Sequence, residues 1–145
     1  MTRRRILITT CAVVGIVVIM AAQHGLHRLR HFPEAYQAWD TGSLLVAYMQ
    51  QNDDRWPKDW DDLLSVLESE KGARIRFRGG YTNRQEYVND LRNSVRIDWS
   101  FDPSSGTGSI EIASRPDGSD FPMVWENAHP NDIVRHYLES KQPPK

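Results

Sequence analysis

Chemistry in this chain has few places to sit. Between Tyr48 and Leu64 the sequence reads YMQQNDDRWPKDWDDLL, in which Asp53, Asp54, Asp59, Asp61 and Asp62 crowd around Trp56, Pro57 and Trp60. Carboxylates at that density could hold a hard cation, and paired indoles could stack on a sugar ring. An EF-hand loop, however, needs a central Gly and a terminal Glu, and this stretch has neither. Local structure offers each acid a use. Asn52, Asp53 and Asp54 compete with the backbone for hydrogen bonds and so end a helix. Pro57 disfavours helix at Trp56 and redirects the chain. Asp59, Asp61 and Asp62 fall in the first turn of the next helix, at the positive end of its dipole. The segment therefore reads as a corner, with Trp56 packed across it. No metal and no cofactor is assigned.

Histidine chemistry is the next candidate. His129 and His136 lie near Glu126 and Asp132, which would supply an acid–base pair for a small hydrolase. No P-loop, dinucleotide fingerprint, HExxH, CxxC or GxSxG pattern accompanies them, so no catalytic residue is named. His24, His27 and His31 could share a helical face, but Gly25 weakens that helix and no acid is nearby; they read as an interfacial segment. A binding module is a second reading, with Trp56, Trp60 and Trp125 stacking on a glycan. Arg74, Arg76 and Arg78 alternate with Ile75 and Phe77, which places three guanidinium groups on the outer face of a strand, where Arg84, Arg92 and Arg96 could join them. With Trp56 and Trp60 they form the candidate partner surface, suited to an anionic lipid surface or to the acidic corner of a second copy.

The elements that position these groups begin with a charge split. The 145 residues carry a net charge of −1, yet all 19 acids and 13 of the 18 basic residues follow position 30, which gives that portion a charge of −6. The segment 6–22, ILITTCAVVGIVVIMAA, has no charge, with Arg3, Arg4 and Arg5 before it and Arg28 and Arg30 after it. Seventeen residues without a charge reach the lower limit for a membrane span, and the basic flank favours a cytoplasmic N-terminus. A cleaved signal peptide is the rival, with Ala21-Ala22 as small residues near the cut. Either way residues 31–145 are exported, and nucleic acid is excluded as a partner. The expected organisation is a basic cytoplasmic tip at 1–5, a transmembrane anchor at 6–22, a juxtamembrane linker at 23–33, an extracytoplasmic domain at 34–140 and a disordered tail at 141–145. The lone cysteine, Cys11, lies in the anchor, so the domain must hold together by its core.

Helical periodicity runs over 34–52, with Ala38, Thr41, Gly42, Leu45, Tyr48 and Met49 on one face and Tyr36, Asp40, Ser43 and Gln50 opposite. Ala38 and Gly42 are small enough for a neighbouring element to approach closely. A second helix buries Trp60, Leu63, Leu64 and Leu67 and ends at Gly72. A short helix is expected over 82–92, with Thr82 and Gln85 as a capping box. VRIDWSF at 95–101 alternates as a strand, and SIEIAS at 109–114 returns to make a hairpin. FPMVW at 121–125 is expected as an edge strand. A closing helix turns Ile133, Val134, Tyr137 and Leu138 inward. Helices before a small antiparallel sheet make an α+β fold: N-terminal transmembrane helix, two amphipathic helices, a sheet with a hairpin, and a C-terminal helix.

The stretch LLVAYMQQNDDRWPKDWDDLLSVL resembles the segment of type II secretion pseudopilins and type IV pilin-like proteins where the long N-terminal helix ends. In those proteins a helix with a late Tyr runs into an Asp/Asn turn, an aromatic-Pro pair and then a Leu; here these are Tyr48, Asn52 to Asp54, Trp56-Pro57 and Leu63. The resemblance implies an apolar helix bundled in an assembly, with the sheet displayed outside. Prepilins open with Gly and then Phe-Thr-Leu-x-Glu, whereas this chain has TRRRILITT, so no filament-assembly residue is transferred. The combined expectation is a non-enzymatic, pilin-like assembly or scaffold protein of the bacterial inner membrane, anchored in the bilayer through 6–22 and associating with itself or with other envelope proteins.

Overall fold

The computed structural model describes residues 31–68, 83–105, 110–125 and 127–142, together with Met20 and Gly25. The proposed anchor apart from Met20, the strand carrying Arg74, Arg76 and Arg78, the Gly72 cap and residues 143–145 lie outside the described residues. Among the described residues no helix is long and apolar enough to cross a membrane. Pro33–Lys145 forms one compact unit.

Helix α1 occupies residues 31–51, so its described part begins inside the expected linker. Ala38, Leu45 and Met49 enter one core with Leu63, the hairpin and the last helix. Leu44 enters a second core with Val66, Leu67, Tyr87, Val88 and Leu91. Burial on two sides overturns one expectation. Asp40, placed by periodicity on the outer face, is buried, because the Tyr87 hydroxyl donates to its Oδ2 at 2.5 Å. A Tyr87→Phe variant should lose about 2 kcal/mol of stability, since a buried carboxylate loses a charge-assisted donor; urea unfolding checks this.

The exit from α1 is a strained turn. Asp53 and Asp54 have φ of 54° and 59°, and the Asp54 amide returns to the Met49 carbonyl at 2.9 Å. Asp and Asn tolerate this left-handed region better than most residues, which is the physical content of the Asn-Asp-Asp signal. Helix α2, Trp60–Glu68, is capped by Asp59, whose Oδ1 accepts from the amides of Asp61 at 2.9 Å and Asp62 at 3.1 Å. Helix α3, Arg84–Ser94, starts one residue later than the Thr82 box predicts. Asn83 is the cap and accepts from the Glu86 amide at 2.8 Å; Asn outranks Thr at this position.

The sheet is smaller than expected. Among the described residues its two strands are β1, Arg96–Ile97, and β2, Ala113–Ser114, antiparallel with Arg96 opposite Ser114 and Ile97 opposite Ala113. The predicted alternation survives without the ladder: Val95 and Ile97 are buried, Trp99 and Phe101 are half-buried, and Arg96, Asp98 and Ser100 are exposed. Asp98 stops the strand. Its Oδ1 accepts from the Ser100 amide at 2.9 Å and hydroxyl at 2.6 Å, which turns the chain. The same Asp-x-Ser clasp recurs at Asp102–Ser104 and Asp117–Ser119, and in all three the serine hydroxyl holds the carboxyl below its ordinary range. FPMVW forms no strand. In its place, the Oδ1 of Asn131 accepts from the amides of Ile112 at 3.0 Å and Ala113 at 2.9 Å. Two successive amides aimed at one oxygen break the alternation, so both residues are buried.

Helix α4, Pro130–Lys141, closes the unit with Val134 and Leu138 buried. It meets α1 at Gly42, where an added Cβ would lie 2.8 Å from the Pro130 Cα. The result is a mixed, helix-rich α+β domain with four helices and one two-stranded antiparallel sheet among the described residues.

Candidate functional site

The acidic corner is occupied by its own fold. Asp59 caps α2, and Asp62 Oδ2 accepts from the Lys58 amide at 2.8 Å and the Tyr48 hydroxyl at 3.2 Å. Asp61 pairs with Arg92 at 2.5 Å, an exposed bridge worth at most about 1 kcal/mol. The arginine–acid pairing expected between copies thus has a version within one chain. Asp54 receives the Tyr137 hydroxyl and lies 3.2 Å from Lys141 Nζ, which ties α4 to the turn after α1.

That clasp titrates. The Tyr137 hydrogen bond, followed by Lys141, holds the Asp54 carboxyl below its ordinary 3.8. A carboxyl depressed on folding stabilises the fold above its unfolded pKa, and this stabilisation is lost as pH falls through the folded value. Wild type should therefore melt higher than Tyr137→Phe at about pH 6, with the gap closing below about pH 3 as Asp54 is protonated. Melting temperature followed against pH in both proteins reads this directly.

The predicted tryptophan platform is dispersed into packing. Trp56 donates its indole N–H to the Asp98 carbonyl at 2.9 Å and sits edge-on to Phe101 at 4.8 Å. Trp60 meets Trp99 edge-on at 5.6 Å, and Trp125 tilts against Tyr36 at 5.6 Å. The rings fasten the corner to the hairpin and the 121–125 segment to α1, so the structure does not bring the three together as a ligand surface.

A cleft of about 670 Å³ lies over the hairpin, lined by Arg96, Asp98, Glu111, Asp120, His129 and Asn131 among others. His129 is the N-cap of α4: its Nδ1 accepts from the Asn131 amide at 3.2 Å. That acceptor role places the proton of the neutral ring on Nε2, which lies 2.8 Å from Asp120 Oδ1. The bond from His129 is the chief reason that the Asp120 carboxyl titrates below its ordinary value. Both ring nitrogens are committed, so a general-base role would require His129 to break its cap or its bond to Asp120. Among the described residues the partner is Asp120 and not Asp132, which pairs instead with Arg135; Glu126 lies outside the described residues. His136 is exposed on α4. Sequence reading missed Glu111, Asp120 and Asn131 as a group, because only the fold brings the hairpin, the turn at 115–119 and the start of α4 together. Part of the signal was readable in RPDGSD: Gly118, at φ of 82°, folds this turn back so that the Arg115 amide reaches the Ser119 carbonyl at 2.9 Å.

Fold and site together define a small α+β domain bearing a polar, charge-lined cleft over a hairpin. The chain matches no protein-family model, no curated protein and no solved structure. Its own groups therefore carry the functional argument.

Proposed function

We propose that the chain is a membrane-anchored assembly or scaffold component, non-enzymatic and pilin-like in layout, with its N-terminus in the bacterial cytoplasm and its α+β domain outside the inner membrane. One observation carries this reading: the uncharged run at 6–22, flanked by basic residues and followed by a portion with a charge of −6. The use of aromatic and acidic side chains supports it. Trp56, Trp60, Asp54, Asp59 and Asp62 make internal contacts that brace the domain, as a display unit requires. Its partners are the bilayer, through 6–22, and further copies or envelope proteins.

The test is fractionation of cells expressing the chain with a C-terminal phosphatase fusion, combined with intact-mass measurement and crosslinking. The expected result is full-length protein in the inner membrane, an active exported reporter, and crosslinks to itself or to other membrane subunits. Full-length protein free in the cytosol overturns the proposal. A mass lower by about 22 residues replaces the anchor with a cleaved signal.

A further inference from the structure

The cleft over the hairpin holds two charged side chains with no ion-pair partner within 4 Å among the described residues. Arg96 and Glu111 are exposed and line the same opening, and their side chains make no hydrogen bond among the described residues; the Arg96 guanidinium helps to hold the Asp98 carboxyl below its ordinary range without pairing with it. The neighbouring acids are engaged: Asp98 holds Ser100, and Asp120 holds His129 and the Phe121 amide. Register sets how far apart their backbone positions lie. Arg96 is opposite Ser114, and Glu111 stands three residues before Ser114, in the segment that leads into β2. At roughly 3.3 Å per residue along the chain and roughly 5 Å across the pair, the two backbone positions are about 11 Å apart.

A guanidinium and a carboxylate carried on such positions and opening into one cleft complement a ligand with an anion and a cation at its two ends. An extended tripeptide with free termini spans about 10 Å, and the cleft volume lies in the range of small-ligand sites. The lining is also unbalanced. Three carboxylates, Asp98, Glu111 and Asp120, share the lining with one guanidinium, so a ligand with a second positive group near its amino end is favoured. Trp99 adds a half-buried aromatic wall, a suitable neighbour for such a cation. The geometry points to a binding site for a short zwitterionic peptide with a basic N-terminal residue, its carboxylate on Arg96 and its ammonium groups on Glu111. The site stands on the cleft alone and holds whether or not residues 6–22 span a bilayer.

The experiment is calorimetric titration of the full chain in detergent micelles with Lys-Ala-Ala, its C-terminal amide, and the diamine cadaverine. Lys-Ala-Ala should saturate the wild type, and Arg96→Gln and Glu111→Gln should each weaken it by about tenfold or more. Both positions are exposed, and circular dichroism checks that the variants fold. Amidation should weaken binding to the wild type and leave Arg96→Gln unchanged, which ties the ligand carboxylate to Arg96. If a variant does not fold, the amide comparison on wild type decides by itself. The proposal is overturned by absence of saturation up to about 10 mM, by variants that bind within about twofold of wild type, by an amide that binds as well as the free acid, or by cadaverine binding as tightly as the peptide.

Discussion

Gly42→Leu should come close to unfolding the domain. At Gly42 the backbone of α4 rests on α1: a Cβ there would lie 2.8 Å from the Pro130 Cα, 3.0 Å from Ile133 Cδ1 and 3.3 Å from Ile133 Cβ. The nearest atom is main chain and cannot rotate away, so the helices must separate, and with them Ala38, Leu45, Val134 and Leu138 in their shared core. Overpacking of this kind costs about 3 kcal/mol or more for a side chain of this size, a large share of the 5–15 kcal/mol that holds a typical domain together. Gly42→Ala gives the graded case. Alanine gains about 1 kcal/mol of helix propensity and loses more than that to the clash, so a net loss of about 1 kcal/mol is expected. Adding Ile133→Val should recover only part of it, because the clash with Pro130 remains. Urea midpoints read all three variants, and a midpoint raised by Gly42→Ala would contradict the close approach of α1 and α4.

The second large effect belongs to Asn131, whose side-chain oxygen serves the strand amides of Ile112 and Ala113. Asn131→Ala leaves both donors short of a partner in a half-buried setting, at a cost of about 2–3 kcal/mol. Asn131→Asp keeps the oxygen in place at the second position of α4, where a negative charge suits the helix dipole, and should stay within about 0.5 kcal/mol of wild type. Amide hydrogen exchange separates this role from a general packing defect: protection at Ile112 and Ala113 should fall in the alanine variant and hold in the aspartate variant. Equal stability of the alanine variant and wild type would sink the assignment.

The two predictions differ in how far the sequence announced them. Small residues at Ala38 and Gly42 on a periodic apolar face already indicated a close neighbour; which element it would be was not readable. Asn131 gave no such warning. An Asn in the first turn of a helix looks like an ordinary polar residue until the hairpin is placed beside it. The third strand expected at 121–125 failed for the same reason, since a side chain from α4 supplies the acceptor that a neighbouring strand would otherwise provide.

What the sequence by itself determined is local. Apolar periodicity set α1, α2, α3 and α4, and the inward faces of the 95–101 segment, because burying an apolar stripe depends on spacing along one element. Asn, Asp and Pro set the corner at 52–57, because short polar side chains and a fixed φ act on their own backbone. The Asp-x-Ser clasps were equally local and were there to be read. Tertiary structure alone decided that Asp40 is buried, that β1 and β2 are so short, that Trp56 and Trp60 belong to packing, and that Arg96, Glu111, Asp120 and His129 share a cleft. Each of those outcomes depends on a partner brought from a distant part of the chain, and hydrophobic burial specifies that a face must be covered without specifying which polar groups arrive with the cover.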